Sequence, residues 1–445
     1  MADPDVEQRL TAKGRATRDR IVLATAELIV AEGLAAFNMD NVRKAASVSG
    51  SQLAHYFTDK RALIRAVIHR QIEVVLDFHR QPKLGGLATF DDYERWLDLN
   101  MRYLRRIKYT GTPTYHALAA QLAKSDESTR EALAVGYQRW ITLLQSAIQR
   151  MKDNGVLVAE AQPRALASVI VCAHQGGGTL AFTYQAEWPH ADATRFAVNY
   201  LRLFAKDPAE RAPRPPRRPR LRRPSPRSGD RPTARLTQKG LATRTRIVDA
   251  AAGLVFERGV ANTSIDEVRT RAEVSGSQIT HYFTDKRDLI RQVVATRRHD
   301  VKAFHTQARL GALDTVDALR TWVDACMADV DTVYRLGGCV YGSLAGELID
   351  ADSEIHDDVA RGYDEWIEIF SAGITSMRRR GDLRPDADPR HLTVSLVTAH
   401  QGGAMLTHAT GDPEPMSAAL NAAVDYVASF AAKAGRSPAR NRSKS

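Results

Sequence analysis

A chain of 445 residues is too long for one ordinary domain and fits two to four, and its 44% hydrophobic and 26% charged residues are those of a globular protein. The net charge of +11 invites a nucleic-acid partner, but nine arginines between Pro208 and Pro232, opposed only by Glu210 and Asp230, supply seven of those charges, so bulk charge identifies nothing by itself. No apolar run is expected to span a bilayer, the acidic start Met1-Ala2-Asp3-Pro4-Asp5 is unlike a signal peptide, and Cys172, Cys326 and Cys339 have neither metal-type spacing nor the number for a disulfide framework, which points to a reducing cytoplasm.

In chain order, the first predicted helix carries Ile21, Thr25, Leu28 and Ile29 on one face, with Gly33 placed to stop it. A short second helix follows the N-cap residue Asn38 and turns Met39, Val42 and Ala46 inward. A tight turn at Ser47-Val48-Ser49 leads to a third helix that buries Leu53 and Phe57 and leaves Gln52, Ala54 and His55 outward. Thr58-Asp59 then caps a long fourth helix with Leu63, Ile64, Val67 and Ile72 on one stripe. Helices are predicted over Phe90–Tyr109, Tyr115–Lys124, Glu131–Lys152, Arg164–Phe182 and Ala191–Lys206; with no β-alternation, the class is all-α. The Arg/Pro tract at 208–232 is expected to be an extended linker, which as polyproline II at ~3.1 Å per residue reaches roughly 75 Å. Beyond it the whole plan returns at an offset of 226 residues: Ile247, Ala251, Leu254 and Val255 repeat the first stripe, Gly259 the stop, Ser264 the cap, and Ile265, Val268 and Ala272 the second helix. The basic, Ser-rich residues 435–445 read as a disordered tail.

The densest match between copies is Val48-Ser49-Gly50-Ser51-Gln52-Leu53-Ala54-His55-Tyr56-Phe57-Thr58-Asp59-Lys60-Arg61 against Val274 to Arg287. A short helix, a tight turn and a second short helix suit entry into the DNA major groove. Gly50 and Ser51, like Gly276 and Ser277, allow close approach at the helix N-terminus. Gln52 and Gln278 can offer an amide pair to adenine, Ala54 can touch a thymine methyl, and Thr280 can do the same or hydrogen-bond. Ser49, His55, Tyr56 and Lys60, with Ser275, His281, Tyr282 and Lys286, suit phosphate oxygens, which position without specifying.

Each opening segment, Ile21…Gly33…Val42…Ala46-Ser47-Val48-Ser49…His55-Tyr56-Phe57…Lys60…Leu63-Ile64 and its repeat, resembles the DNA-binding domain of TetR/AcrR-family transcriptional regulators over about sixty residues. The resemblance implies helix-turn-helix domains at 10–60 and 233–286, each followed by a helical ligand-binding and dimerisation domain at 61–207 and 287–434. It implies a double-stranded DNA operator and a small-molecule effector as partners, with no cofactor, metal, catalytic residue or membrane. Gly338 to Leu348 looks like a recurring segment of some members' C-terminal domains; the first unit departs from it, with Pro113, His116 and Gln121 at the places of Cys339, Gly342 and Glu347. The fusion of two units in one chain is a further departure. It suggests an intramolecular pseudo-dimer, most simply a repressor on a near-palindromic operator, with a chain dimer carrying four DNA-binding units as the alternative.

Pocket candidates are Trp96, Tyr115, Tyr137, Trp140 and His174, with Trp322, Tyr341, Tyr363, Trp366 and His400 as their repeats; ordinary aromatic core is the competing reading. Gly176-Gly177 and Gly402-Gly403 weaken a helix interior and so call for a close helix–helix approach. Cys172 and His174, two residues apart on a helix, face different sides and lack a third group, so an enzyme is disfavoured. A helical small-molecule binder without DNA function and non-specific DNA compaction by the arginine tract stay as rival classes.

Overall fold

The computed structural model describes residues 10–32, 38–109, 114–216, 237–349 and 351–432. Gly33, Pro113, most of the Arg/Pro tract and the tail 435–445 lie outside these. Among the described residues the chain is helical, and its extended pairings are two isolated bridges, Leu157 with Ala205 and Leu383 with Ala431, again 226 residues apart.

In the first unit, α1 (Ala12–Glu32), α2 (Met39–Ala45) and α3 (Gly50–Tyr56) form a small bundle that docks on α4 (Lys60–Arg80). Its centre is Ile21, Thr25, Ile29, Val42, Ala46, Leu53 and Phe57, all buried. Local chemistry sets the boundaries. The Asn38 side chain accepts from Asn41 N, and Asp59 accepts from Ala62 N to start α4. The remaining helices are α5 (Phe90–Arg106), α6 (Tyr115–Leu122), α7 (Glu127–Asp153), α8 (Pro163–Tyr184) and α9 (Trp188–Arg202). Three of the five predicted ones run within three residues of these bounds, within the usual drift of helix ends; α7 begins four residues early because Asp126 supplies a cap on Thr129 N, and α9 ends four residues before the predicted Lys206.

The second unit repeats this with α10 (Gln238–Arg258), α11 (Ile265–Arg271), α12 (Gly276–Tyr282), α13 (Lys286–His305) and α14 (Val316–Ala328). Gly259 ends α10 at φ +85°, a conformation that side chains avoid. The copies then diverge. A π-helical turn, Val330–Tyr334, stands where α5 ends in the first unit, and the short α15 (Gly342–Glu347) stands where that unit has α6. After them come α16 (Ser353–Arg380), α17 (Pro389–Thr410) and α18 (Glu414–Ala428).

The units pack through α8 and α17. A Cβ on Gly176 would stand 1.9 Å from the Thr398 carbonyl oxygen, and one on Gly402 would stand 1.8 Å from that of Cys172. These are twin positions, so the helices cross on a local pseudo-twofold axis and touch backbone to backbone. Gly177 and Gly403 serve a different contact, with α9 and α18 respectively: a Cβ there would meet Ala193 at 2.7 Å and Met416 at 2.8 Å. One expectation is corrected here. Helix α8, at 22 residues, is long and apolar enough to cross a membrane by length and composition. Its most apolar window is 89% buried, because it is the wall of both a domain core and the joint between units.

The joint also carries polar contacts that twin residues cannot repeat. His391 Nδ1 lies 3.0 Å from Asp192 Oδ1, its Nε2 lies 3.1 Å from the Tyr426 hydroxyl, and Asn199 Nδ2 donates to that hydroxyl at 2.8 Å. Ser168 Oγ donates to Glu414 Oε2 at 3.0 Å. The positions matching His391 and Asp192 are Ala165 and Ala418. Two copies of the first unit paired in this way would bury Asp192 with no histidine opposite.

Candidate DNA interface and effector pocket

Helices α3 and α12 present the same surface. Ser49, Gly50, Ser51, Gln52, Ala54 and His55 are exposed, Tyr56 is half-buried, and Leu53 is turned into the core; Ser275 to Tyr282 match them position for position. Both helices start with a capping box. Ser49 Oγ accepts from Gln52 N at 3.1 Å, and Gln52 Oε1 accepts from Ser49 N at 2.9 Å; the Ser275–Gln278 distances are 3.2 and 2.8 Å. The glutamine oxygen therefore already serves the helix, and reading adenine with both amide atoms requires it to be shared or released. Thr280 Oγ1 donates back to Gly276 O and Ser277 O, both at 3.2 Å, so its hydroxyl is engaged by the helix itself.

Gly50 and Gly276 have no atom within 4 Å of a built Cβ, and neither has a positive φ. Nothing in the fold itself requires glycine there. Lys286 is different: its ammonium donates to Val260 O at 2.7 Å, just past the end of α10, and burial lowers the pKa of both Lys286 and Lys60 below the usual lysine value. Lys286 thus braces the start of α13 against the end of α10. Rings support the same scaffold, with Arg18 over Phe57 and Arg244 over Phe283.

In the first helical domain a cavity of about 430 Å³ opens between α4, α5, α6, α7 and α8. Of the sequence candidates, Tyr115, Trp140 and His174 line it, while Trp96 and Tyr137 stand behind the wall, fully buried. Phe78, Leu104 and Phe182 add apolar surface, and His116, Gln175 and His190 add polar atoms. His116 Nδ1 lies 2.6 Å from Gln175 Oε1, and burial lowers His116 to about 4 and His190 to about 3. The cavity wall is thus neutral near pH 7. In the second domain Trp322, Tyr341, Tyr363, Trp366 and His400 are all buried and packed on one another: Tyr363 stacks on Trp366, and Trp366 meets His400 edge-on at 5.1 Å.

One element was missed from sequence. His79 donates from Nδ1 to Val75 O at 2.7 Å, so its Nε2 is the acceptor, taking the indole N–H of Trp96 at 3.1 Å and of Trp140 at 3.3 Å. His305 repeats this with Val301 O, Trp322 and Trp366 at 2.8, 3.2 and 3.0 Å. Burial lowers both histidines to about 4. Each clamp ties the end of the reader-bearing long helix to the pocket wall. The readable signal was a histidine recurring at the 226-residue offset along with both tryptophans.

Two exposed helix-turn-helix elements, each on a helical domain, are the architecture of a DNA-binding transcriptional regulator. The model for bacterial regulatory proteins of the tetR family matches residues 21–67 and again 247–293. A LmrA/YxaF-like regulator C-terminal domain matches 91–195, and a tetracyclin repressor-like C-terminal domain matches 315–423. The chain belongs to the TetR family, as two units in tandem. It is similar to the HTH-type transcriptional repressor DhaR of Mycobacterium sp. (strain GP1), 21% identical over 174 residues, which are 39% of this chain and 86% of that protein. It is also similar to the regulator SrpR of Pseudomonas putida, 22% identical over 147 residues, 33% of this chain and 66% of that protein. Among solved structures, a TetR-family regulator from Cytophaga hutchinsonii has 19% identity and a TM-score of 0.41, covering 45% of this chain and all of that one. One from Chloroflexus aurantiacus has 22% identity and a TM-score of 0.39, covering 44% and 98%.

Proposed function

We propose that this protein is a ligand-responsive repressor that binds a near-palindromic operator as a single-chain pseudo-dimer, in the cytoplasm. The observation that carries it is the bare glycine at the start of each recognition helix. Gly50 and Gly276 are exposed, unstrained and surrounded by open space, so a reason for having no side chain lies outside the chain, in a surface that comes close. The groove edge of a DNA duplex is such a surface. The pseudo-twofold crossing at Gly176 and Gly402 supports pairing of the two readers, and the contacts between Asp192 and His391 and between Ser168 and Glu414 favour first unit against second. An effector in the helical domain acts by preferring one arrangement of the readers, and its effect is limited by its differential affinity for the two states.

Selection from random DNA tests this. Two related half-sites in inverted orientation are expected, one helical turn apart. Gln52→Ala and Gln278→Ala should each cost about 1–3 kcal/mol on the selected site and little on random DNA. Recovery of unrelated half-sites, or equal losses on both DNAs, would overturn base reading by this pair.

A further inference from the structure

The two helical domains differ where a twin arrangement is expected. In the first, His174 and His190 meet edge-on at 4.5 Å at the cavity wall. Asn100 Oδ1 holds His174 Nε2 at 3.0 Å, but His174 Nδ1 and both ring nitrogens of His190 have no hydrogen-bond partner, although His190 is 2% exposed. Buried polar atoms are nearly always paired. In the second domain Met416 and Cys326 replace His190 and Asn100, and the same space is filled. The Tyr334 hydroxyl lies 2.9 Å from His400 Nε2, and Phe370 packs on Trp322 at 4.9 Å. Tyr334 comes from the π-helical turn; its twin, Lys108, is exposed.

We propose that the chain holds one effector site, in the first unit, for an uncharged and largely apolar molecule with one hydroxyl-like group seated on His190 and His174 Nδ1. The proposal rests on reading the helical domain as a sensor. His174 Nε2 donates to Asn100 Oδ1, so Nδ1 of this neutral ring is an acceptor, and a single hydroxyl can donate to it while accepting from the N–H of His190. Burial holds both rings neutral, so an anion gains no counter-charge. Asp77 and Arg106, the charged residues that line the cavity, are solvent-exposed at its edge, so a buried cation finds no carboxylate inside. A pure hydrocarbon leaves His190 unpaired.

Titration of the full chain with 1-naphthol, naphthalene and 1-naphthoate, followed by calorimetry, tests it. The expected result is one 1-naphthol per chain, bound about tenfold tighter than naphthalene, the factor a net hydrogen bond supplies, with 1-naphthoate weakest. His190→Leu should erase the preference for the hydroxyl while keeping naphthalene, and Tyr334→Ala should raise the stoichiometry to two. Two sites in the unaltered chain, tightest binding of 1-naphthoate, or a hydroxyl preference that survives His190→Leu would overturn the proposal. No binding by any probe, with none created by Tyr334→Ala, would overturn the sensor reading as well.

A separate contact carries a second inference. Lys124, two residues past the end of α6, crosses to the other unit and is buried there, with Nζ 2.9 Å from Glu347 Oε1, 3.2 Å from Ser343 Oγ and 3.4 Å from Val255 O. The other carboxylate oxygen of Glu347 accepts from Val260 N, so the pair grips the end of α10 in the second reader. Ala120 and Gly346, twin positions, touch beside it. The reciprocal pair is Asp350 and Gln121, which cannot form a salt bridge. We infer that α6, whose first residues line the cavity, is coupled across the joint to the second reader and not equivalently to the first. Hydrogen exchange of the ligand-free full chain tests this without any effector. Lys124→Met should speed exchange at 254–263 by about tenfold or more and leave 28–32 unchanged, and Glu347→Gln, which still accepts from Val260, should do so less. Equal change at both segments, or none, would overturn the coupling while leaving the sensor reading intact.

Discussion

Replacing Gly176 or Gly402 with alanine sets a helix-favouring change against a collision. A Cβ at either place meets a carbonyl oxygen at 1.9 or 1.8 Å, and these are backbone atoms of the opposing helix, which cannot swing aside. Ordinary contact requires the helices to part by about 1.5 Å, which loosens packing along α8 and α17. Overpacking of this kind costs about 1–3 kcal/mol, and removing a mid-helix glycine returns roughly 0.5–1 kcal/mol. The net expectation is a loss of about 1–2 kcal/mol for each variant, with the double variant less than additive because both act on one crossing. Gly253→Ala is the control. It lies inside α10, and its Cβ would meet Arg271 Nη1 at an ordinary 3.5 Å, so a gain of about 0.5–1 kcal/mol is expected. Urea unfolding followed by far-ultraviolet circular dichroism decides between the signs. If Gly176→Ala stabilises as Gly253→Ala does, α8 and α17 do not cross there and the account of the joint fails.

Gly50→Ala and Gly276→Ala should leave the unfolding midpoint within about 0.5 kcal/mol of the parent yet weaken operator binding in a gel shift; unchanged binding would remove the glycines from the DNA surface. Thr280→Ala should make the two half-sites alike in preference and Ala54→Thr should do so in the other direction, each by no more than about 1–3 kcal/mol, as read by selection from random DNA. Acid should unfold the chain early. His79, His116, His305 and His408 are lowered to about 4, and His190 and His400 to about 3, chiefly by burial. With folded values below the ordinary 6.5, the unfolded chain takes up protons first as pH falls. This contribution is therefore complete above about 6.5 and is lost toward 3–4, at roughly 2 kcal/mol per histidine by pH 5. Circular dichroism at constant temperature should show helix loss between pH 6 and 4; full helix at pH 4 would contradict the neutral, buried histidines.

The reader domains were legible in sequence because their information is local. A cap residue, a period of apolar positions and the Ser49-x-x-Gln52 spacing each act within a few residues, and the 226-residue repeat doubled every signal. The glycine pair at 176 and 402 was legible as a close approach, since mid-helix glycine calls for compensation. The pocket was only half legible. Trp140 and Trp366 are equivalent in sequence, but one faces a cavity and the other a filled core, because Tyr334 arrives on a π-helical turn that periodicity does not reveal. The pairing of Lys124 with Glu347 was beyond reach, since it joins residues 223 apart across the joint and breaks the repeat. Gln52 shows a different limit: its type suggested a base reader, while its spacing from Ser49 also made it a cap, and the structure shows the cap formed.

The central claim, one chain reading both half-sites, meets its most direct test in the stoichiometry of the operator complex. Light scattering of the 49.2 kDa chain with a duplex selected from random DNA should return the mass of one chain per duplex. That duplex should be protected over both half-sites. Two chains per duplex, each contributing one reader, would contradict the pseudo-dimer.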